Sequence, residues 1–564
     1  MATETASTFR LKHIAPWLPL ALIVFSVSTA LLLRGGTSGN VLSAVWWTAV
    51  TMSAGFIGSR LPGRALVALA FLLPVVPYVR YDTWLGKELP FVIAAAVLVG
   101  VTLNPETSWT RLLRDRRRHI ATPVLAFAAL LAASAVLVLF QRSQFVMNLA
   151  GMGWVNGYFA KDWVTLIPQS TLPVLRSGRF LLGPVCGLAL LSLLNRVANR
   201  QPESVTREGI LAAFFLTSTL NLSVACGQFF LPDFPIPTLY EPVAGLFHNP
   251  VGLGLLMTLV APVALAVSLR PTRITWLRPL AMVTLVLVAL MFVPLQQRSA
   301  HLGVIAGITC FLLPLAFVLV QKNRKHFRRI VIATVATTIL LSLVLAAGFA
   351  TINRTRGPGV TQWQQTWTAI SNRPLSTVWL GIGVRLQINR LGFLMVSDRP
   401  LGGYGIGGFE AARPAYHERY GPPCVQFFLH CAIFQPEFDH SLLNHPLHML
   451  TDLGVLGLTT HLWLFSAFLF PPIRKVLIDL RSKNRETKID LIAVGCVAGV
   501  GAALLLSLWT AEWLYDVTIS AVAFMLLALA APKFEPAEDN RPGLAIWAIL
   551  AFPLAHGITF ILGV

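Results

Sequence analysis

The sequence predicts an all-α, polytopic membrane protein: a bundle of about fourteen to fifteen transmembrane helices with one large external loop that holds short helices. Three observations predict it. Of 564 residues, 55% are hydrophobic and only 12% are charged, whereas soluble domains carry roughly a quarter charged residues. The mean hydropathy is +0.69, more apolar than a water-solvated surface allows. Apolar runs of about 20 residues, each able to cross roughly 30 Å of hydrocarbon, recur along the whole chain. These runs contain Gly, Pro and Ala and lack alternating polar positions, which favours helices over the shorter, dyad-patterned strands of a barrel.

Taken in order, candidate helices begin near Ile14, Val41, Ala65, Leu89, Ile120, Ser177, Gly209, Val251, Ile274, His301, Ile330, Leu447, Ile489, Tyr515 and Pro542. The run after Ile14 is long and many spans follow it, so it is not expected to be a cleaved signal. The loops between these runs alternate in charge. One set is strongly basic: Arg60 and Arg64, Arg111 to Arg118, Arg196 to Arg207, Arg270 to Arg278, Lys322 to Arg329, and Arg474 to Lys488. The intervening set is poor in Lys and Arg, the connection holding Arg80 and Lys87 being a mild exception. The positive-inside rule then puts the N-terminus in the cytoplasm and two long loops outside, Gln141 to Arg176 and Thr351 to Asn444. The net charge of +20 belongs to this pattern. With no soluble basic domain to carry nucleic acid, none is expected as a partner.

Four segments follow: N-terminal transmembrane helices over 1–246, core helices over 247–350, the large external loop over 351–446, and C-terminal transmembrane helices over 447–564. Loops as long as the third are uncommon without function. Its stretch Gln362 to Ile370 sets Trp363, Trp367 and Ile370 on one helical face. That suits either a helix at headgroup level or an ordinary helix packed on the bundle. Arg385 to Val396 reads as a helix stopped by Asp398-Arg399-Pro400, with a Gly-rich turn after it. Cys186, Cys226, Cys310 and Cys496 fall in apolar runs and read as packing residues. Cys424 and Cys431 share the loop, where a disulfide and two free thiols are both open readings.

No nucleotide-binding signature, HExxH, CxxC or GxSxG occurs, which argues against an ATP-driven pump or a zinc protease. The chemistry-bearing residues gather on the external side. Arg298 ends a short connection at a helix start. It reads as a snorkelling cation or as a fork of donors for a lipid phosphate. Arg385, Arg390 and Arg399 lie in the loop. Asp439, His440, Asn444, His445 and His448 cluster where the chain re-enters the membrane, with His448 and Asp452 an i, i+4 pair. The spacing of the three histidines across Pro446 is not a usual ligand pattern, so no metal is expected. A general base, a sugar-binding group and a structural hydrogen bond all remain open for each His.

Four stretches between Phe247 and Gly457 resemble the O-antigen ligase and O-antigen polymerase superfamily of bacterial envelope glycan transferases. Phe247-His248-Asn249-Pro250 is similar to its Asn-Pro helix start, and Gln297-Arg298-Ser299 to its Ser-Arg element. Arg385 followed by Pro400-Leu401-Gly402, Gly405-Ile406-Gly407 and Phe409 is similar to its Arg, Pro-Leu-x-Gly-x-Gly and Phe pattern. Leu447 to Gly457 is similar to its Leu-x-x-Leu-x-(Asp/Glu)-x-Gly-x-x-Gly helix. Where the family carries His-Asn ahead of that last stretch, this chain has Leu443-Asn444. His440 precedes that place and His445 follows it, and either could supply the imidazole.

The resemblance implies a multi-pass protein of the bacterial inner membrane, with the large loop periplasmic. It implies a donor glycan on an undecaprenyl diphosphate carrier, an acceptor that is itself a glycan or lipid, and no cofactor or metal. Arg298 and Arg385 would bind the diphosphate, and His440 or His445 would act on the acceptor hydroxyl. Arg390, Arg399, His448, Asn444 and Asp439 would support them. Such a site would serve a polysaccharide polymerase or an O-antigen ligase. The other readings are a secondary transporter and a non-catalytic component of polysaccharide export.

Overall fold

The computed structural model describes residues 39–74, 93–101, 118–151, 177–194, 207–231, 245–247, 250–270, 272–292, 294–295, 298–322, 389–420, 424–427, 430–433, 444–481, 489–508, 517–531, 551–556 and 558–559. In chain order these form α1 (Gly39–Arg60), α2 (Pro62–Leu72), α3 (93–101), α4 (Arg118–Gly151), α5 (Ser177–Leu194), α6 (Arg207–Phe230), α7 (Pro250–Ser268), α8 (Leu277–Met291) and α9 (Arg298–Lys322). Then come α10 (389–398), α11 (Gly408–Tyr420), the hairpin β1 (Cys424–Phe427) and β2 (His430–Ile433), α12 (His445–Arg481), α13 (Leu491–Leu506) and α14 (Val517–Ala530). Helices α4, α5, α6, α7, α9 and α12 are long and apolar enough to cross a membrane.

The expected starts at Val41, Ala65, Ile120, Ser177, Gly209, Val251, Ile274, His301, Leu447, Ile489 and Tyr515 each fall within three residues of an observed one. Those at Ile14, Leu89, Ile330 and Pro542 lie outside the described residues, as does the Trp-bearing stretch Gln362 to Ile370.

Two expectations change. Helix α4 runs on to Gly151, so the first part of the loop expected from Gln141 is helical; nothing between Arg142 and Ala150 breaks a helix. The large loop also contains a short antiparallel hairpin, an exception to the all-helical expectation. Val425, Phe427 and Ile433 are the β-favouring residues there. Its register sets Cys424 opposite Ile433 and Cys431 opposite Gln426, so the two cysteines are not cross-strand partners. Of the other cysteines, Cys186 and Cys496 are buried as expected, Cys226 is half-buried, and Cys310 is exposed.

The centre of the bundle is α7, packed between α9 and α13. Glycines let the backbones approach, the usual device where lipid supplies no hydrophobic drive between helices. A Cβ on Gly254 would lie 2.4 Å from the Ala300 Cβ, and one on Gly303 would lie 2.3 Å from Leu506 Cδ1. Gly495 and Gly499 of α13 meet the carbonyls of Pro262 and Leu259 in the same way. These contacts make α7 and α9 parallel and α13 antiparallel to both. The starts of α7 and α9 therefore share one end of the bundle with the finish of α13. The start of α12 joins them, because the His445 N–H donates to the Ser507 carbonyl at 2.9 Å.

The opposite end gathers residues from three of the basic connections. Asp490, the N-cap of α13, accepts from the backbone N–H of Ile492 at 3.2 Å and pairs with Arg207 and Arg270. Burial alone would raise the Asp490 carboxyl, but the Arg207 guanidinium, the Ala493 N–H and Arg270 together outweigh it and hold the group below its ordinary value. Beside this, the Glu208 carboxylate accepts from the Arg273 and Ile274 N–H groups. Residues from three of the loops expected to share a side thus meet at one end, and the motif-bearing helix starts lie at the other.

Candidate functional site

The site is built on a break in α12. Gly454 has φ 65° and ψ −167°, a region essentially open to glycine alone. It separates a short helix, 445–453, from the long one that follows, and the two fold back into a V. Helices broken in this way free backbone groups that must find partners inside the protein.

The Gly-rich turn of the large loop supplies them. The Pro400 carbonyl accepts from Val455 N–H at 2.9 Å, and the Leu401 carbonyl from Leu456 N–H at 3.4 Å. The Tyr404 N–H donates to the Thr451 carbonyl at 3.0 Å. Gly403, Gly405 and Gly407 all have positive φ, which lets the turn lie flat on the vertex. The fit is close, since a Cβ on Gly454 would stand 2.1 Å from the Leu401 carbonyl oxygen.

Asp452 locks the two pieces together. It is 1% exposed, and its carboxylate oxygens accept from the N–H groups of Gly407 at 2.8 Å and Phe409 at 2.9 Å. His448 Nε2 lies 3.4 Å from the same carboxylate, one turn away as the i, i+4 spacing anticipated. Its ring lies against Phe409. The Ile406 N–H donates to Ser134 Oγ at 3.0 Å, tying the turn to α4. With its oxygens so engaged, Asp452 is an anchor for backbone and not a spare base.

His445 stands at the open end of the V. Asn444 caps this helix, its side-chain oxygen accepting from Leu447 N–H at 3.0 Å. The fold-back brings His445 Nε2 to 2.8 Å from His461 Nε2. Both rings are buried, at 3% and 6% exposure, and the His461 ring also rests on Phe127 and Phe465. Among the described residues, the Nδ1 atom of each ring has no hydrogen-bond partner. One Nε2 must donate and the other accept. The pair as a whole therefore presents one open N–H and one open lone pair.

No protein-family model and no curated protein matches this chain.

Of the residues singled out in the sequence, the structure joins His445, His448 and Asn444 on one short helix and docks the Arg399-bearing turn against it. The Arg399 guanidinium lies over the Tyr404 ring at 4.8 Å. The Tyr404 hydroxyl meets that of Tyr416, which donates to Asp398. Burial first, and then the Asp398 carboxylate, push the Tyr416 phenol well above its ordinary value. Arg390 is an exposed residue of α10. Arg298 opens α9 at the same end of the bundle, with its side chain outside the described residues. Arg385, Asp439 and His440 also lie outside them.

Sequence reasoning missed His461. On a straight helix it would stand about 24 Å from His445, and only the turn at Gly454 brings the two rings together. The available signal was a lone imidazole in an apolar run, read together with the Asp-Leu-Gly that precedes it.

Proposed function

We propose that this protein is a membrane glycan transferase that moves a glycan from an undecaprenyl diphosphate carrier to a glycan or lipid acceptor at the periplasmic face of the inner membrane. In this reading it works as a polysaccharide polymerase or a ligase. The observation that supports the reading is the junction at Gly454. Two stretches that resemble separate motifs of one transferase superfamily, 400–409 and 447–457, interlock there through backbone hydrogen bonds. The other two motif-like stretches open α7 and α9 at the same end of the bundle.

In this mechanism Arg298 and Arg385 hold the diphosphate and neutralise the charge that grows on it as the anomeric bond breaks. The diphosphate is already a good leaving group, so no nucleotide is required. Of the two histidines open to the role, we assign the base to His445, whose ring faces a second imidazole. General-base help of this kind contributes typically about 10²–10⁴ in rate.

The test is a deletion strain complemented with variants. Loss of chain length on the deletion indicates a polymerase, and accumulation of free carrier-linked polymer indicates a ligase. Arg298→Ala and Arg385→Ala should each abolish transfer while the protein still inserts at normal abundance. Unchanged surface glycan in both variants would remove the assignment.

A further inference from the structure

The His445–His461 pair carries an inference of its own, which rests on the reading of His445 as the base. A neutral imidazole can donate from only one nitrogen, so a hydrogen bond between two Nε2 atoms ties the two tautomers together. If His445 donates through Nε2, its Nδ1 is necessarily a bare lone pair, and His461 carries its proton on Nδ1. Among the described residues, the elements packed on the pair supply no hydrogen-bond partner to either Nδ1. From α4 comes the Phe127 ring, from α12 itself the Phe465 ring, and from the end of α13 the Ser507 carbonyl, which is occupied by the His445 N–H. His448 is the other described titratable group acting on His445, and it is engaged by Asp452. Two nitrogens with no partner among the described residues, inside rings this deeply buried, mark a place for a polar group to arrive.

We infer that His461 is the positioning residue of a two-imidazole dyad: by accepting the His445 Nε2–H it fixes His445 in the tautomer whose open Nδ1 takes the proton of the acceptor hydroxyl. In the step, the acceptor O–H bond breaks and an N–H bond forms at His445 Nδ1. The freed oxygen pair bonds to the anomeric carbon. The bond from that carbon to the carrier breaks, and its electron pair leaves with the diphosphate. The positive charge on His445 is shared through the hydrogen bond with His461, which takes the place that a carboxylate fills in other base–orienter pairs.

The experiment uses full-length protein in lipid nanodiscs with ring-15N histidine, together with the surface-glycan ladder of the complemented deletion strain. In the wild type the His445 ring should report the Nε2–H, Nδ1-bare tautomer. His461→Leu, close in volume but unable to accept, should release His445 into mixed tautomers. It should lower transfer by about 10²-fold or more and shift its pH profile, at normal abundance and with a Tm lowered only by the one stranded donor. His461→Gln, whose side-chain oxygen can accept the same proton, should restore the tautomer and recover at least tenfold of the loss.

Equal loss in the Leu and Gln variants, or an unchanged tautomer in His461→Leu, would overturn the dyad by reducing His461 to packing. His445→Ala separates the two readings. If that variant transfers glycan at the wild-type level, the base assignment itself fails. If it is inactive while His461→Leu is fully active, the base stands and the dyad falls.

Discussion

Two aspartates, one toward each end of the bundle, each tie distant segments together, and they do it in opposite ways. Asp452 is 1% exposed and spends its charge on backbone N–H groups and a histidine. Asp490 is partly solvated, with its side chain 26% exposed, and spends its charge on two arginines and a helix start. The first fixes the path of the chain, because amide N–H groups have set positions. The second holds helices together through long, adaptable side chains. Removing a buried acceptor strands its donors at full desolvation cost, whereas a solvated pair is partly replaced by water. The end that carries the proposed chemistry is thus the rigid one.

The sharpest way to break the contrast is Gly454→Ala. The substitution forces a side chain into a region where the backbone itself costs about 1–3 kcal/mol, and its Cβ would stand 2.1 Å from the Leu401 oxygen. Loss of more than about 3 kcal/mol is expected, read as collapse of the monodisperse peak on size exclusion. Next is Asp452→Asn, which turns one accepting oxygen into a donor facing a donor. About 2–3 kcal/mol should be lost, and hydrogen exchange should quicken at the Gly407 and Phe409 amides while the Asp490 end is unaffected. Asn444→Ala removes a cap and should cost about 1 kcal/mol in thermal unfolding.

Acid probes the other end. The folded Asp490 carboxyl is held below its ordinary value, so near pH 4 the folded chain binds fewer protons there than the unfolded chain. Its contribution is complete above the unfolded value of about 4 and is lost as pH falls through the folded one. Tm should therefore drop less steeply on acidification in Asp490→Asn than in the wild type. An identical acid limb in the two would show that the carboxylate contributes nothing. Arg270→Ala is the mildest change. Its side chain is 47% exposed, and a loss below about 1 kcal/mol, diminished further by salt, is expected.

Among the described residues the helix starts were legible because lipid sets one length scale and hydropathy reports it directly. For three of the basic connections, loop charge anticipated a shared end, as the meeting of Arg207, Arg270 and Asp490 illustrates. What stayed illegible was which spans lie inside. Val251–Ser268 is 89% buried and Ser299–Ala316 only 28% buried, yet both are simply apolar, since lipid and protein interior demand the same side chains. The broken α12 was hidden for a different reason. Gly454 was visible as part of a motif, but a glycine in an apolar run is as compatible with close packing as with a turn. The i, i+4 relation of His448 and Asp452 could be read, because it needs only local helix. The His445–His461 contact could not, because it depends on the φ of a single residue between them.

The turn at 400–407 precedes the vertex it closes in chain order. A ribosome therefore delivers the plug before the socket. Until residues 452–456 arrive, the N–H groups of Gly407 and Phe409 lack their Asp452 acceptor and the carbonyls of Pro400 and Leu401 lack their donors on Val455 and Leu456, and a chain stopped at Asn444 would never acquire them. Closure of this vertex is thereby timed to the emergence of residues 452–456, and the start of α12 then waits for Ser507 at the finish of α13.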